Sequence, residues 1–240
     1  MAFSSWRGTL GLIKPTMRPG STEQFIRLIP EGIGVIPILQ DVRAGTREEF
    51  ENALASYRDI AGRLAEAEVD LIHHSGTPPF MMEGYKGEAR LIRRWERELG
   101  VPMFTANQNI VKALRVFGAK RIIGVSYSRL QNELTREYLT EAGFDVLAME
   151  PIEVPFELAG ELSPHRVYAH VRETFLSQPK AEAIYLQGNA WKVLGIVEML
   201  ENDFGVPVIE TNAALSWEVQ TRLHVREPRQ GCGRLLREMP

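Results

Sequence analysis

Residues 71–80, LIHHSGTPPF, lead from an apolar run through two histidines into a Gly-Thr turn. Residues 184–191, IYLQGNAW, repeat this order of an apolar run followed by a glycine turn. Apolar runs bounded by glycine turns are typical of buried strands in a parallel sheet. Ligands bind beyond the carboxyl ends of such strands, so we expect the two turns to be facing halves of one site.

Short β-type runs alternate with longer segments of helical periodicity along the chain, which is the pattern of parallel βα units. The clearest helix is predicted over 46–68, where Thr46 and Glu49 have the spacing of a capping box. Its apolar residues, at spacings of three and four, predict a buried stripe of Phe50, Leu54, Tyr57, Ala61 and Leu64. The predicted strands, each followed by a helix, are 8–13, 33–39, 69–74, 101–105, 121–126, 144–149, 182–187 and 206–210.

The two halves of the chain also repeat in sequence. GVPMFTAN at 100–107 matches GVPVIETN at 205–212, and Glu96 matches Glu201 at the same offset. Together with four βα units in each half, this predicts an α/β fold of two similar Rossmann-like lobes, each a four-stranded parallel sheet flanked by helices, related by a pseudo-two-fold axis. We expect residues 1–115 plus 216–240 to form the N-terminal lobe, with the C-terminal helix packing back on it. Residues 116–215 are expected to form the C-terminal lobe, with the active site between the lobes.

Composition excludes several classes of function. With 44% hydrophobic and 25% charged residues, the 240-residue chain has the composition of a globular protein. Lys and Arg number 28 against 31 Asp and Glu, so no basic field is available to hold nucleic acid. The N-terminus lacks the pattern of a secretory signal and no apolar run approaches the ~18 residues of a spanning helix, which predicts a cytoplasmic protein without membrane contact. A symmetric homo-oligomer is the common state of enzymes of this size.

Cysteine and histidine usage argues against disulfides and metal sites. One cysteine, Cys232, excludes a disulfide within the chain, and the five histidines show no recognisable ligand spacing. We therefore expect no metal. Cys232 lies far along the chain from every strand-end turn, so we interpret it as a free thiol without a catalytic role.

The two glycine turns carry groups that can hold a carboxylate. Gly76 and Gly188 permit close backbone approach, and a helix predicted to begin near Asn189 would point its N–H groups at a ligand. Thr77 adds a hydroxyl donor, and Tyr127 adds a phenol that can donate to an oxyanion. The alternative is that both glycines simply end strands and that Thr77 caps a helix.

His73 and His74 are neighbours on a strand, so their side chains are expected on opposite faces of the sheet. His74 is nearer the turn and is the candidate general acid or base, because imidazole titrates near neutral pH. The alternative is a buried histidine that bonds to a backbone carbonyl.

Three further polar residues follow predicted strands. Lys14 and Arg18 are candidates to hold a substrate carboxylate, although they could equally be solvated loop charges. Asn107, just after the fourth strand, is a candidate substrate ligand. Trp191 is expected to pack against the sheet.

The strand-end residues resemble a known family. Gly76-Thr77, Tyr127 and Gly188-Asn189, with GVP at 205–207 and LHVREP at 223–228, resemble the Asp/Glu racemase superfamily, and within it the branch of maleate cis-trans isomerase and arylmalonate decarboxylase. The resemblance covers residues 11–236. It implies two Rossmann-like lobes, no cofactor, and a small mono- or dicarboxylic acid substrate bound between the lobes.

The resemblance also implies roles for single residues. Thr77 and Tyr127 would donate to a carboxylate that passes through an enediolate, and backbone N–H groups near Pro78 and Asn189 would complete the oxyanion hole. This chain departs from the family pattern, because Pro78 stands where the decarboxylase has a serine. Glycines at the two strand-end turns also replace the cysteines that racemases and the isomerase carry after the third strand of each lobe.

Without thiols, we expect an isomerase or decarboxylase type of enzyme whose oxyanion hole stabilises the enediolate and whose proton comes from His74, Tyr127 or water. Two alternatives stay open. One is a non-catalytic protein that binds or senses carboxylates, and the other is a hydrolase with a water activated by His74.

Overall fold

The computed structural model describes residues 4–17 and 19–240. Among these residues, eight strands form two four-stranded sheets, and all neighbouring strands are parallel. The strands are β1 (Gly8–Lys14), β2 (Ile33–Leu39), β3 (Leu71–His74), β4 (Met103–Thr105), β5 (Arg121–Ser126), β6 (Asp145–Pro151), β7 (Ala183–Leu186) and β8 (Val208–Glu210). The order is β2-β1-β3-β4 in one sheet and β6-β5-β7-β8 in the other. The predicted α/β fold of two four-stranded parallel sheets is confirmed.

Helices connect the strands, and one of them shows how the sequence specifies its own boundary. The helices are α1 (Pro19–Leu28), α2 (Arg47–Glu66), α3 (Thr77–Met81), α4 (Gly84–Leu99), α5 (Ala106–Val116), α6 (Arg129–Glu141), α7 (Pro164–Ser177), α8 (Leu194–Phe204), α9 (Thr211–Arg222) and α10 (Arg234–Glu238), with a 3-10 helix at Phe156–Glu161. Helix α2 begins at the predicted capping box, in which Thr46 and Glu49 bond to each other's backbone N–H groups. Ala53 is buried on its inner face, while Leu54 is only partly buried.

The sequence repeat corresponds to a repeated structure. Gly100 and Gly205 both end their helices in the left-handed region, at φ 69°. The carboxylates of Glu96 and Glu201 accept the backbone N–H of the first residue of β4 and of β8, at 2.8 and 3.0 Å. These matched contacts explain why the two halves share Glu and Gly-Val-Pro at one constant offset.

The last two helices pack in different apolar clusters. Leu215 and Val219 of α9 lie in the apolar cluster under β1 and β3, so α9 contacts the first sheet. Leu235 and Leu236 of α10 pack instead in the cluster that contains Ile209 of β8. That cluster also contains Leu28 of α1 and Leu114 of α5, so residues of both halves of the chain surround α10. The expected return of the C-terminal helix to the N-terminal lobe and the lobe boundaries stay predictions.

The strand order places the functional region. The two inner strands are β1 and β3 in the first sheet and β5 and β7 in the second, and the connections that leave each inner pair run to opposite edges of the sheet. Such a change of direction leaves a crevice beyond the carboxyl ends of the two inner strands. Within the described ranges, no helix is long and apolar enough to cross a membrane.

Candidate active site

A narrow cleft, with only about 20 Å³ of open space, is lined largely by turns that follow the strands of both sheets. Its apolar lining is Pro15, Phe50, Pro78, Phe156 and Ala190, and its polar or small lining is Thr16, Gly76, Thr77, Tyr127, Gln131, Gly188, Asn189 and Thr211. A larger groove outside α4 is lined by eleven residues, of which four are arginines, and it includes Val101 and Pro102. Because these two residues precede β4, that groove lies at the amino ends of the strands, and we place the candidate site in the cleft.

The glycines of the two turns have nearly the same φ angle. Gly76 has φ 92° and Gly188 has φ 94°, values that residues with a side chain rarely adopt. A Cβ atom on Gly76 would lie 2.6 Å from Cγ of Pro15, and one on Gly188 would lie 2.6 Å from the hydroxyl of Tyr127. The space in which a side chain at either position would begin is therefore already filled.

Thr77 is oriented from the opposite lobe. The carboxamide Nε2 of Gln187 donates a hydrogen bond to Thr77 Oγ1 at 2.6 Å. Because the hydroxyl oxygen accepts this bond, its hydrogen remains available to donate to a group in the cleft. Thr77 is the first residue of α3 and Gly76 is the N-cap, so Thr77 is not itself the capping residue.

Two further bonds cross between the lobes near the turns. Asn189 Nδ2 donates to Ser75 Oγ at 2.9 Å, which joins the turn after β7 to the turn after β3. The hydroxyl of Tyr138 on α6 donates to the carboxyl group of Glu88 on α4. Both sides of the cleft are thus held together by buried or half-buried polar contacts.

The helix predicted to begin near Asn189 begins later. Helix α8 starts at Leu194, and residues 187–193 form an irregular segment between β7 and the helix. The positive end of a helix dipole therefore does not lie at Asn189, and that part of the prediction is wrong. Trp191, in this segment, is fully buried, and its indole N–H donates to the carbonyl of Gly188 at 3.0 Å.

His74 does not belong to the cleft. Its ring is fully buried against Tyr57, Phe80 and Trp95, and neither ring nitrogen has a hydrogen-bond partner among the described residues. Burial lowers the pKa of His74 to about 3, so the ring is neutral at neutral pH. The prediction of His74 as acid or base is wrong, because its strand turns it into the core. His73 lies on the other face against Phe104, as alternation requires.

Lys14 and Asn107 support the cleft from behind its lining. The described lining includes Pro15 and Thr16 but not Lys14, whose Nζ donates to Thr22 Oγ1 at 2.6 Å. Burial lowers the pKa of Lys14 to about 8, and a solvated loop charge is excluded. Asn107 is buried outside the lining and donates to the carbonyl of Thr77 at 3.1 Å, so the prediction that it binds substrate directly is corrected. Arg18 lies outside the described residues.

The chain matches one protein family over most of its length. The family model described as arylmalonate decarboxylase covers residues 26–236. This chain belongs to the arylmalonate decarboxylase family. The resemblance that we had inferred from the strand-end turns is confirmed.

Several known proteins are similar to this chain in sequence or in structure. Arylmalonate decarboxylase from Bordetella bronchiseptica is 24% identical over 243 residues, which covers 92% of this chain and all of that protein. Maleate isomerase Iso from Pseudomonas putida S16 has a TM-score of 0.86 at 21% identity, covering 97% of this chain and 99% of the isomerase. Maleate cis-trans isomerase from Nocardia farcinica has a TM-score of 0.88 at 21% identity, covering 96% and 98%. The structural likeness shows a common fold, and a variant of the P. putida isomerase has been solved with maleate.

Several residues of the site in this member of the arylmalonate decarboxylase family were not predicted from its sequence. Gln131 and Phe156 line the cleft, and Glu88 and Tyr138 join the lobes behind Thr77. Glu88 lies on a helix with many charged residues, and the sequence does not distinguish it from the others. Its burial depends on Tyr138, which lies fifty residues further along the chain. Gln131 did carry a signal, since it lies four residues after Tyr127 and therefore near the same strand end. Within the described residues, no group of three or more His, Cys, Asp and Glu could hold a metal ion.

Proposed function

We propose that this protein is a cofactor-independent enzyme of the isomerase or carbon–carbon lyase type that acts on a small mono- or dicarboxylic acid through an enediolate, without a catalytic cysteine. The observation that carries the proposal is the bond from Gln187 to Thr77 Oγ1, which leaves the threonine hydroxyl free to donate into a cleft shared by both glycine turns. Family membership and the maleate bound to a homologue support a carboxylate as ligand.

The reaction we favour is loss of CO2 from a malonate-type acid. The bond between the α-carbon and one carboxyl carbon breaks, and its electron pair stays on the α-carbon and delocalises into the remaining carboxylate as an enediolate. The Thr77 hydroxyl and backbone N–H groups of the two turns stabilise the developing negative charge. A single donor of this kind is worth about 3 to 4 kcal/mol, so an oxyanion hole without thiols still supports substantial catalysis.

The enediolate must then take up a proton at the α-carbon. With the ring of His74 in the core, Tyr127 and water remain as proton sources. The Tyr127 hydroxyl occupies the space beside Gly188 in which a cysteine side chain would begin, which favours Tyr127. The hydrolase alternative loses its support because it required His74 to face the cleft.

The test is turnover of a panel of malonate-type acids and maleate by the wild-type protein and by Thr77→Ala and Tyr127→Phe. We expect CO2 release or isomerisation by the wild type and a loss of about 10²-fold or more in kcat in each variant, with both variants folded at the assay temperature. Thr77→Ala should also lower the midpoint of thermal unfolding, because Gln187 Nε2 loses its acceptor. Full activity in both variants would remove the proposed oxyanion hole.

A carboxylate-binding protein without catalysis is the second candidate. It is favoured by one observation, the filled space at both positions where racemases and the isomerase carry thiols. Calorimetric binding of acids from the panel with no product from any of them would establish this function instead.

A further inference from the structure

The carboxamide of Gln131 is buried in the cleft without a complete set of partners. Gln131 is the third residue of α6, is only 2% exposed and belongs to the lining of the cleft. Its Oε1 atom has no hydrogen-bond partner among the described residues. Buried amide oxygens are nearly always bonded, so this atom needs a donor that the described residues do not provide.

Two other helices show what a side chain at this position normally does. Thr46 and Glu49 at α2, and Thr105 and Gln108 at α5, form complete capping boxes in which each side chain bonds to the other residue's backbone N–H. At α5 the bonds are 3.1 Å from Gln108 N to Thr105 Oγ1 and 3.3 Å from Thr105 N to Gln108 Oε1. The glutamine oxygen is therefore occupied by its own helix.

Helix α6 begins with the same sequence pattern, but only half of the box forms. Ser128 Oγ accepts the N–H of Gln131 at 3.4 Å. The N–H of Ser128, which the glutamine oxygen would normally accept, donates instead to Ser126 Oγ at 3.3 Å. Ser126 thus takes over the capping role and frees the Gln131 side chain for the cleft.

We propose that Gln131 is a specificity-determining residue that accepts a hydrogen bond from a hydroxyl group on the substrate. This inference rests on the proposed function, since it assigns a substrate class to the same cleft. The cleft is small and its other walls include Pro15, Phe50 and Phe156, so the hydroxyl lies close to the carboxylate held by the glycine turns. The substrate class is therefore small hydroxy acids, with the hydroxyl on or next to the α-carbon.

A matched pair of acids tests this assignment. Hydroxymalonate has a hydroxyl where methylmalonate has a methyl group of similar size. The ratio of their dissociation constants therefore measures how much the hydroxyl contributes to binding. We expect the wild-type protein to bind hydroxymalonate about tenfold more tightly in titration calorimetry. Gln131→Met keeps the length of the side chain and should bring the ratio to about one.

Gln108→Met is the matched control. Gln108 occupies the same position in its helix as Gln131, but it completes a capping box with Thr105 and does not line the cleft. The control variant should leave the ratio at the wild-type value, and Gln131→Leu serves as a second variant if Gln131→Met unfolds. Equal wild-type affinity for the two acids, or an unchanged ratio in both Gln131 variants, would overturn the assignment while leaving the proposed function intact. Failure of the wild type to bind or turn over any acid of the panel would overturn both.

Discussion

Gln187 Nε2 and Thr77 Oγ1 are joined across the cleft by a 2.6 Å hydrogen bond in which the amide is the donor. The bond connects the strand end of one lobe to the first helical residue of the other. Its direction matters more than its strength, since it decides whether the threonine hydroxyl donates to a ligand or to the protein.

Gln187→Glu should reverse this direction. A carboxylate at position 187 accepts the Thr77 hydroxyl hydrogen and withdraws it from the cleft, so we expect kcat on the malonate panel to fall by about 10²-fold. In a Thr77→Ala background the same substitution should have little further effect, because both changes remove one donor. Gln187→Leu, which leaves the hydroxyl hydrogen free, is the control and should retain more activity than Gln187→Glu. Wild-type kcat in a folded Gln187→Glu protein would contradict the assigned direction.

Gly188→Ala should destabilise the fold more than its backbone conformation alone explains. The comparison is Gly143→Ala, since Gly143 has φ 95° against 94° for Gly188 but no atom within 4 Å of an added Cβ. In both variants, backbone strain at the new alanine should lower the free energy of unfolding by about 1 to 3 kcal/mol. Gly188→Ala should lose more, because the new Cβ meets the Tyr127 ring. The free energies of unfolding in urea measure the difference, and equal losses would show that Tyr127 moves aside at no cost.

Glu88→Gln should alter how stability depends on pH. Burial raises the pKa of Glu88 to about 7, above its usual value of 4.5, so between these values the folded state binds more protons than the unfolded state. The neutral Glu88 carboxyl makes its full contribution to the free energy of unfolding below pH 4.5, and this contribution is lost as pH rises through 7. The wild type should therefore lose stability relative to Glu88→Gln between pH 4.5 and 7.5, and urea unfolding at several pH values measures this.

A constant difference between the wild type and Glu88→Gln across that range would contradict the raised pKa of Glu88. Glu210, whose pKa burial also raises to about 7, is unchanged in both proteins and cancels in the comparison.

Cys232→Ser should be nearly silent in turnover. Cys232 is only partly buried, does not line the cleft, and has a pKa that burial raises, so little thiolate is present at neutral pH. We expect kcat/KM on the malonate panel to change by less than about twofold. A large loss would mean that the nucleophile or proton donor of the reaction had been misassigned.

The inner strands were predictable because the apolar runs that form them are buried on both faces of each sheet over most of their length. The starts of β4 and β8 were placed two residues early, since Pro102 and Pro207 continue the apolar run but cannot donate to a ladder. The glycine turns were predictable for the same reason as the strands, because they follow directly from the strand ends.

Contacts between distant segments could not be predicted in this way. Alternation places His73 and His74 on opposite faces but does not say which face the aromatic residues of α2 and α4 cover. The pairing of Glu88 with Tyr138 depends on how two lobes dock. The freed side chain of Gln131 depends on a serine two residues before its helix cap, and the sequence pattern alone resembles an ordinary capping box.

The filled space beside both glycines constrains how this protein can change over generations. A Cβ atom introduced at position 188 meets Tyr127, and one introduced at position 76 meets Pro15, so a thiol at either position requires the neighbouring side chain to shift. The gain of a thiol is therefore coupled to a change beside it. The pairs Gly188 with Tyr127 and Gly76 with Pro15 are expected to vary together among related sequences.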